Sequence, residues 1–283
     1  MESETENRLS PSSELKDLNE GEKLAVDHQS RPSAALIHET IRAEGEKELE
    51  RTSIALMLSG FAAGLSIGFS VIVPAILMVA LQDAPWEHLL TALGYTIGFL
   101  IVVLGRQQLF TENTLTPVLP LLKAPTVHRF GQLARLWSLV LFSNIMATWI
   151  FSAALAYTPI FDQEIKMAIA EFSQTTMKAD FWPMFLKAVF AGWLIALMVW
   201  LMPGAGDAKP FVIIIVTYVV ALAGFAHIIA GSVEASFLVH VGDASLAEYL
   251  FRFFCPTLLG NTIGGVALVA FLNFGQVAPE IQS

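Results

Sequence analysis

From residue 53 to its end the chain has 231 residues but only 21 charged side chains, too few to cover a soluble fold of that size. Lipid makes no such demand. Over the same region the apolar residues gather into six stretches, at about 53–80, 89–122, 133–157, 183–203, 211–239 and 253–274. Each comes near the ~20 residues a helix needs to cross the hydrocarbon layer. The fold class expected is an all-α membrane protein with six transmembrane helices.

Two of the six stretches are too long, and too polar at their centres, to be plain spans. The second holds Arg106, Gln107, Gln108, Thr111, Glu112 and Asn113; the fifth holds Gly224, His227, Gly231, Ser232 and Glu234. Polar groups at that depth are costly unless they face protein or a water-filled path. Helices 2 and 5 are therefore expected to be broken, as they are around a transport site. The halves of the chain also echo each other. Ser143-Asn144-Ile145-Met146-Ala147 in the third stretch and Gly260-Asn261-Thr262-Ile263-Gly264 in the sixth share a small-Asn-x-x-small pattern, 117 residues apart. Thr111 and His227 are 116 apart, and Phe61-Ala62-Ala63-Gly64 matches Phe190-Ala191-Gly192. Three helices followed by three must enter from opposite sides, which makes a 3+3 inverted repeat.

The remaining charge sits at the N-terminus. Residues 1–52 hold 13 of the 25 acids and 7 of the 16 bases, so the net charge of −9 belongs mostly to this segment. Residues 1–33 read as a disordered acidic tail, because they have too little apolar surface to offset their ordering entropy. Residues 34–52 set Leu36, Ile37, Ile41 and Leu49 among charges, which reads as an amphipathic surface helix. A pore domain at 53–275 and a short C-terminal tail at 276–283 complete the expected organisation. The polar start predicts no cleavable signal peptide. Lys123, Arg129, Arg135 and Lys209 fall in loops on one side, and the loop from Gln82 to His88 has no Lys or Arg. Both termini are thus expected in the cytoplasm. Trp86, Trp137 and Trp182 are placed near span ends, as an aromatic belt would have them.

Several function classes find no support. No basic patch points to nucleic acid, and the lone Cys255 excludes a thiol cluster. No HExxH or Gly-x-Ser-x-Gly stands in the chain, so neither an enzyme nor a metal site nor a cofactor is expected. The Asn-Pro-Ala pair of a water pore is missing as well.

Leu109-Phe110-Thr111-Glu112-Asn113-Thr114 resembles the loop that breaks helix 2 of the formate/nitrite transporters, and Gly224-Phe225-Ala226-His227 resembles the element in their broken helix 5. The resemblance covers roughly residues 35–275. Gly105-Arg106-Gln107-Gln108 and Gly231-Ser232-Val233-Glu234 look like a less characterised inner-membrane branch of that family. It implies a homopentamer of aquaporin-like protomers in the bacterial inner membrane, each with its own pore for small monovalent anions. His227 then matches the central histidine and Thr111 the loop threonine, beside Leu109 and Phe110. Tyr95 and Phe99 of helix 2, Val199 of helix 4 and Val220 of helix 5 fall at constriction positions. Asparagines common in the family are replaced by Ala196 and Gly231, and its vestibule lysine is matched only loosely, by Lys178.

A broken helix turns free N–H groups and partial positive charge toward the membrane interior. Such ends are expected near Thr111–Asn113 and Gly231–Ser232, favouring an anion between them. A weak acid crosses an apolar constriction more cheaply when neutral, so protonation near His227 and pH-dependent flux are expected. Asn144 and Asn261 are read as structural, bonding the broken backbone. Glu112 is read as an extra intramembrane charge, and Arg106 and Glu234 as a buried pair in the outer half. A non-transporting or regulatory pentamer of the same fold, or a neutral-solute pore, is the alternative function.

Overall fold

Several helices begin at a short polar side chain standing ahead of an apolar run, as Thr52 and Thr126 do. The computed structural model describes residues 32–82, 84–272 and 275–276, and among them the chain is all-helical. The chain divides into two units, Met1–Ser33 and Ala34–Ser283, and every helix named here belongs to the second. The expected disordered tail and the C-terminal tail fall almost wholly outside the described residues.

Helix α1 is Ala34–Glu50. Thr52 caps the next helix by accepting from the Ala55 N–H at 3.3 Å. That helix runs as α2, Ser53–Ser66, then α3, Phe69–Ala80, bent at Ile67–Gly68. Next come α4, Glu87–Leu104, and the short α5, Val118–Lys123, with a one-turn 3-10 helix at Glu112–Thr114 between them. Thr126 caps α6, Val127–Tyr157, and Asp162 caps α7, Gln163–Met177. After α8, Phe181–Leu201, two 3-10 turns lead to α9, Lys209–Leu222, and then to α10, Ile228–Val241. The last run, α11, joins Leu246–Glu248, π-helical Tyr249–Phe254, Cys255–Gly265 and π-helical Val266–Phe271.

Four of these runs, Ser53–Ala80, Glu87–Leu104, Val127–Tyr157 and Phe181–Gly204, are long and apolar enough to cross a membrane. Helices α6 and α8 join two opposite ends of the molecule. At one end α1 lies against the start of α6: Arg135 donates to the Leu49 and Arg51 carbonyls at 2.9 Å, and Arg129 meets Glu46 at 3.2 Å. Ile41 and Leu49 of α1 are buried there, and Gly45 lies so close to the Thr116 carbonyl that a Cβ would come within 2.1 Å. At the other end α7 follows α6, with Lys166 donating to the Ala156 and Thr158 carbonyls. α7 had no counterpart in the sequence reading. Its apolar side chains at Ile165, Ala168, Ile169 and Phe172 follow helical spacing, but they are too few to register as a span.

Small residues let the helices approach. A Cβ on Gly64 of α2 would come within 2.5 Å of the Asn144 carbonyl on α6, and one on Gly192 of α8 within 2.2 Å of the Asn261 carbonyl on α11. Because α6 starts at Val127, Trp137 lies well inside the helix, and its indole N–H donates to the Asn113 carbonyl at 2.9 Å.

The two interruptions end their helices in the same way. At the end of α4, Arg106 has φ 50°, the Arg106 N–H donates to the Val103 carbonyl, and the Gln107 N–H donates to the Val102 carbonyl. At the end of α9, Gly224 has φ 61°, and the Gly224 and Phe225 N–H groups donate to the Ala221 and Val220 carbonyls. Both are left-handed stops that satisfy the last carbonyls. Glycine takes this conformation freely, whereas arginine is strained by its Cβ. Arg106→Gly should therefore raise the unfolding free energy by about 1 kcal/mol, and Gly224→Ala should lower it by a similar amount. Thermal unfolding of the detergent-solubilised protein measures both; a destabilised Arg106→Gly would show that its contacts outweigh the strain.

Candidate functional site

Past each left-handed stop the chain turns back into the interior, and the two returning segments meet. Thr111 and His227, one from each, are buried, and Thr111 Oγ1 lies 2.8 Å from His227 Nε2. His227 is also the N-cap of α10. Its Nδ1 accepts from the Ile229 and Ala230 N–H groups at 3.3 and 3.2 Å. With Nδ1 used as an acceptor, a neutral ring must carry its proton on Nε2, aimed at the Thr111 hydroxyl. The Phe99 ring meets the imidazole edge-on at 5.0 Å, and Tyr95 follows Phe99 at 5.3 Å.

Backbone groups freed by the interruptions are held by two asparagines. Asn144 Oδ1 accepts from the Phe110 N–H at 2.9 Å, while its Nδ2 donates to the carbonyls of Gln108 at 2.9 Å and Gly60 at 2.7 Å. Asn261 repeats the pattern: Oδ1 accepts from Ile228 N–H at 2.8 Å, and Nδ2 donates to Ala226 at 2.9 Å and Ala188 at 2.7 Å. Each amide thus joins a returning segment to α2 or α8.

A cavity of about 340 Å³ opens between α4, α7, α8 and α10 and ends at His227. Tyr95, Glu234 and Gly231 line it, while Phe99, Thr111, Leu109, Phe110, Val199 and Val220 do not. Leu109 and Phe110 are buried, with Phe110 edge-on to Trp137 at 5.8 Å. Val220 is fully buried and Val199 half-buried. Thr111 makes no capping bond to the turn that follows it; its hydroxyl is turned to His227 instead.

The residues of this site, and the resemblance they carry, match a family. The formate/nitrite transporter model fits residues 35–275. The chain belongs to the formate/nitrite transporter family. It is 44% identical over 271 residues to the inner membrane protein YfdC of Escherichia coli (strain K12), across 95% of this chain and 87% of that one. Its fold is shared with a pentameric formate channel with formate bound, at a TM-score of 0.69 and 23% identity, covering 80% of this chain and 98% of that one. A second solved relative, an FNT family ion channel, superposes at a TM-score of 0.74 with 18% identity, over 85% of this chain and 98% of its own.

Within this formate/nitrite transporter fold three expectations need correction. Arg106 and Glu234 do not pair. α4 is long enough, about 27 Å at 1.5 Å per residue, to carry Arg106 across to the α1 end, where its guanidinium is exposed and meets Glu44 at 3.4 Å. Glu234 lies toward α7 and is bonded by the Thr176 hydroxyl. The half-helix start expected near Gly231–Ser232 lies earlier, at Ile228, and Gly231 is inside α10 with the Phe253 ring where its Cβ would be. The lysine at the cavity is Lys187 of α8, beside Gly224, and Lys178 does not line it. Lys187 stands about two turns into an apolar helix, and the amphipathic spacing of α7 shows which face carries Thr176. Glu112 is half-buried, and its Oε1 has no hydrogen-bond partner among the described residues.

Replacing either asparagine by alanine removes the partners of one N–H and one carbonyl of the returning segment, at about 1–3 kcal/mol for each buried group left bare. Asn144→Ala and Asn261→Ala should each lower the thermal midpoint strongly and by comparable amounts. A near-silent variant on one side would show that its returning segment is held by something else.

Proposed function

We propose that the chain is a transmembrane pore for small monovalent anions of weak acids, such as formate and nitrite, working in the bacterial inner membrane as a transporter rather than an enzyme. The observation that carries this reading is the buried meeting of Thr111 with His227, which lines the cavity. The imidazole Nε2–H and the threonine hydroxyl give an anion or its acid two hydrogen-bond partners in a buried setting. The N-terminus of α10 adds partial positive charge next to them. The solved formate channel of the same fold, described as pentameric with formate bound, supports both the substrate class and a homopentamer.

In this reading α2–α3, α4–α5, α6 and α8, α9–α10, α11 form six transmembrane segments in a 3+3 inverted repeat, aquaporin-like, with the second and fifth broken. The matched left-handed stops and matched asparagine bonds support it. Both termini lie in the cytoplasm, with residues 1–33 an acidic tail and α1 a surface helix ahead of the pore domain. Phe99 and Tyr95 on one side, and Leu109, Phe110, Val199 and Val220 around the returning loop, are the apolar constrictions. A carboxylate crossing them is far costlier than the neutral acid, so the solute is protonated near His227 and flux rises as pH falls.

Uptake of formate, nitrite and acetate into proteoliposomes, at about pH 5.5 and about pH 7.5, tests this. Wild type should carry at least one of them, faster at the lower pH. His227→Phe, which keeps a ring but loses the donor, should reduce flux by about tenfold or more and flatten its pH dependence. Absence of any anion flux from well-folded wild type would favour a non-conducting pentamer.

A further inference from the structure

Glu234 stands on α10 seven residues after His227. At that spacing two side chains share a helix face, about 10 Å apart along the axis. Both line the same cavity, His227 at its end and Glu234 on the way to it. Glu234 is only 4% exposed, and among the described residues it makes no ion pair. Its one hydrogen-bond partner is the Thr176 hydroxyl from α7. A carboxyl placed on the cavity wall, with a hydroxyl beside it and no cation paired to it among the described residues, can hold a proton and pass it to a solute in the cavity.

The groups facing it do not change this. α4 presents Tyr95 and, nearer the mouth, His88 and Glu87; the Glu87 carboxylate accepts from Thr91. α7 adds Glu171 and α8 adds Lys187, both exposed. Tyr249 of α11 is bonded to Ser232, and on α6 Tyr157 is bonded to His240 at the far end of α10, while α3 has no ionisable side chain. The cavity thus has more carboxyl groups than cations, a poor reservoir for free anions and a good one for protons. His227 is badly placed to supply a proton, since its Nδ1 is committed to two backbone N–H groups.

We infer that Glu234 is the proton donor of the pore, and that the species passed on to His227 and Thr111 is the undissociated acid. This rests on the anion-pore reading. The entering anion takes the proton from the Glu234 carboxyl, leaving a neutral acid and a carboxylate held by Thr176. The carboxylate then regains a proton from water at the mouth of the cavity. Net movement is one anion with one proton, without net charge.

The test compares wild type, Glu234→Gln and Glu234→Asp in proteoliposomes, with formate and with formamide, a neutral solute of similar size that needs no proton. At about pH 7.5, where little free formic acid exists, Glu234→Gln should lower formate flux by about tenfold or more. At about pH 5.5 it should come close to wild type, and formamide flux should be unchanged at both. Glu234→Asp retains an acid and should recover part of the loss at the higher pH. Equal losses for formate and formamide at both pH values would make Glu234 a packing residue and overturn the proposal. So would unchanged formate flux in Glu234→Gln. If Glu234→Gln does not assemble, a Glu234→Asp variant that loses part of its formate flux at about pH 7.5 with formamide flux unchanged supports the donor, and equal loss of both overturns it. Wild type that carries no formate overturns the anion-pore reading itself, which separates that failure from a failure of the donor.

Discussion

A helix interrupted inside an apolar layer frees N–H and C=O groups that nothing in the layer can satisfy, and every other feature of this molecule depends on how that demand is met. Two devices meet it. The left-handed stops at Arg106 and Gly224 tie off the carbonyls ending α4 and α9. Asn144 and Asn261 then reach across from neighbouring helices and bond the N–H and C=O groups of the chain as it turns back. A side-chain amide suits this task because it offers an acceptor and two donors on one rigid plane. The same amides donate to Gly60 and Ala188, so positions of the returning segments are fixed to α2 and α8. Close helix approach at Gly64 and Gly192 is therefore a condition of the site, since a bulkier residue would move the asparagines with their helices.

His227 is placed by the second device and then does three things at once. Its Nδ1 caps α10, its ring closes the cavity, and its Nε2 faces Thr111. The cap is what fixes the tautomer. An imidazole free to rotate could present either nitrogen, but two backbone N–H groups at Nδ1 leave Nε2 as the donor. The functional atom is thus oriented by the helix start it completes, and the edge-on Phe99 ring leaves it little room to turn.

Much of this was legible in the sequence. Polar clusters at 105–113 and 224–234 marked the interruptions, and the shared asparagine pattern 117 residues apart marked their supports. The positions of charged side chains were harder to read. A sequence gives the residues inside a stretch but not the depth at which each one lies, so Arg106 reads as a buried outer-half partner of Glu234 although α4 ends only at Leu104. Once α4 is known to run unbroken to that point, Arg106 must emerge at the α1 end. α7 was missed because it is amphipathic and short, and with it went Thr176, the group that marks Glu234 as part of the cavity.

The two ends of the molecule are not equivalent, despite the matched interruptions. At the α1 end the returning loop is covered by a polar network. Glu48 accepts from Gln108 at 2.7 Å, Gln108 accepts from Asn113 at 2.8 Å, and the Gln108 N–H donates to Ser59 at 3.1 Å. At the α7 end the corresponding loop, with Gly224 and Ala226, borders an open cavity. The difference follows from what comes after each turn. α5 is six residues long and lies beneath α1, whereas α10 has fourteen residues and reaches α7. A long second half gives room for a wall with residues at successive turns, His227, Gly231 and Glu234, and a short one does not. The matched stops and asparagine bonds thus supply a common frame, and the unequal helices that follow them decide that the cavity, with Glu234 on its wall, opens on the α7 side of His227.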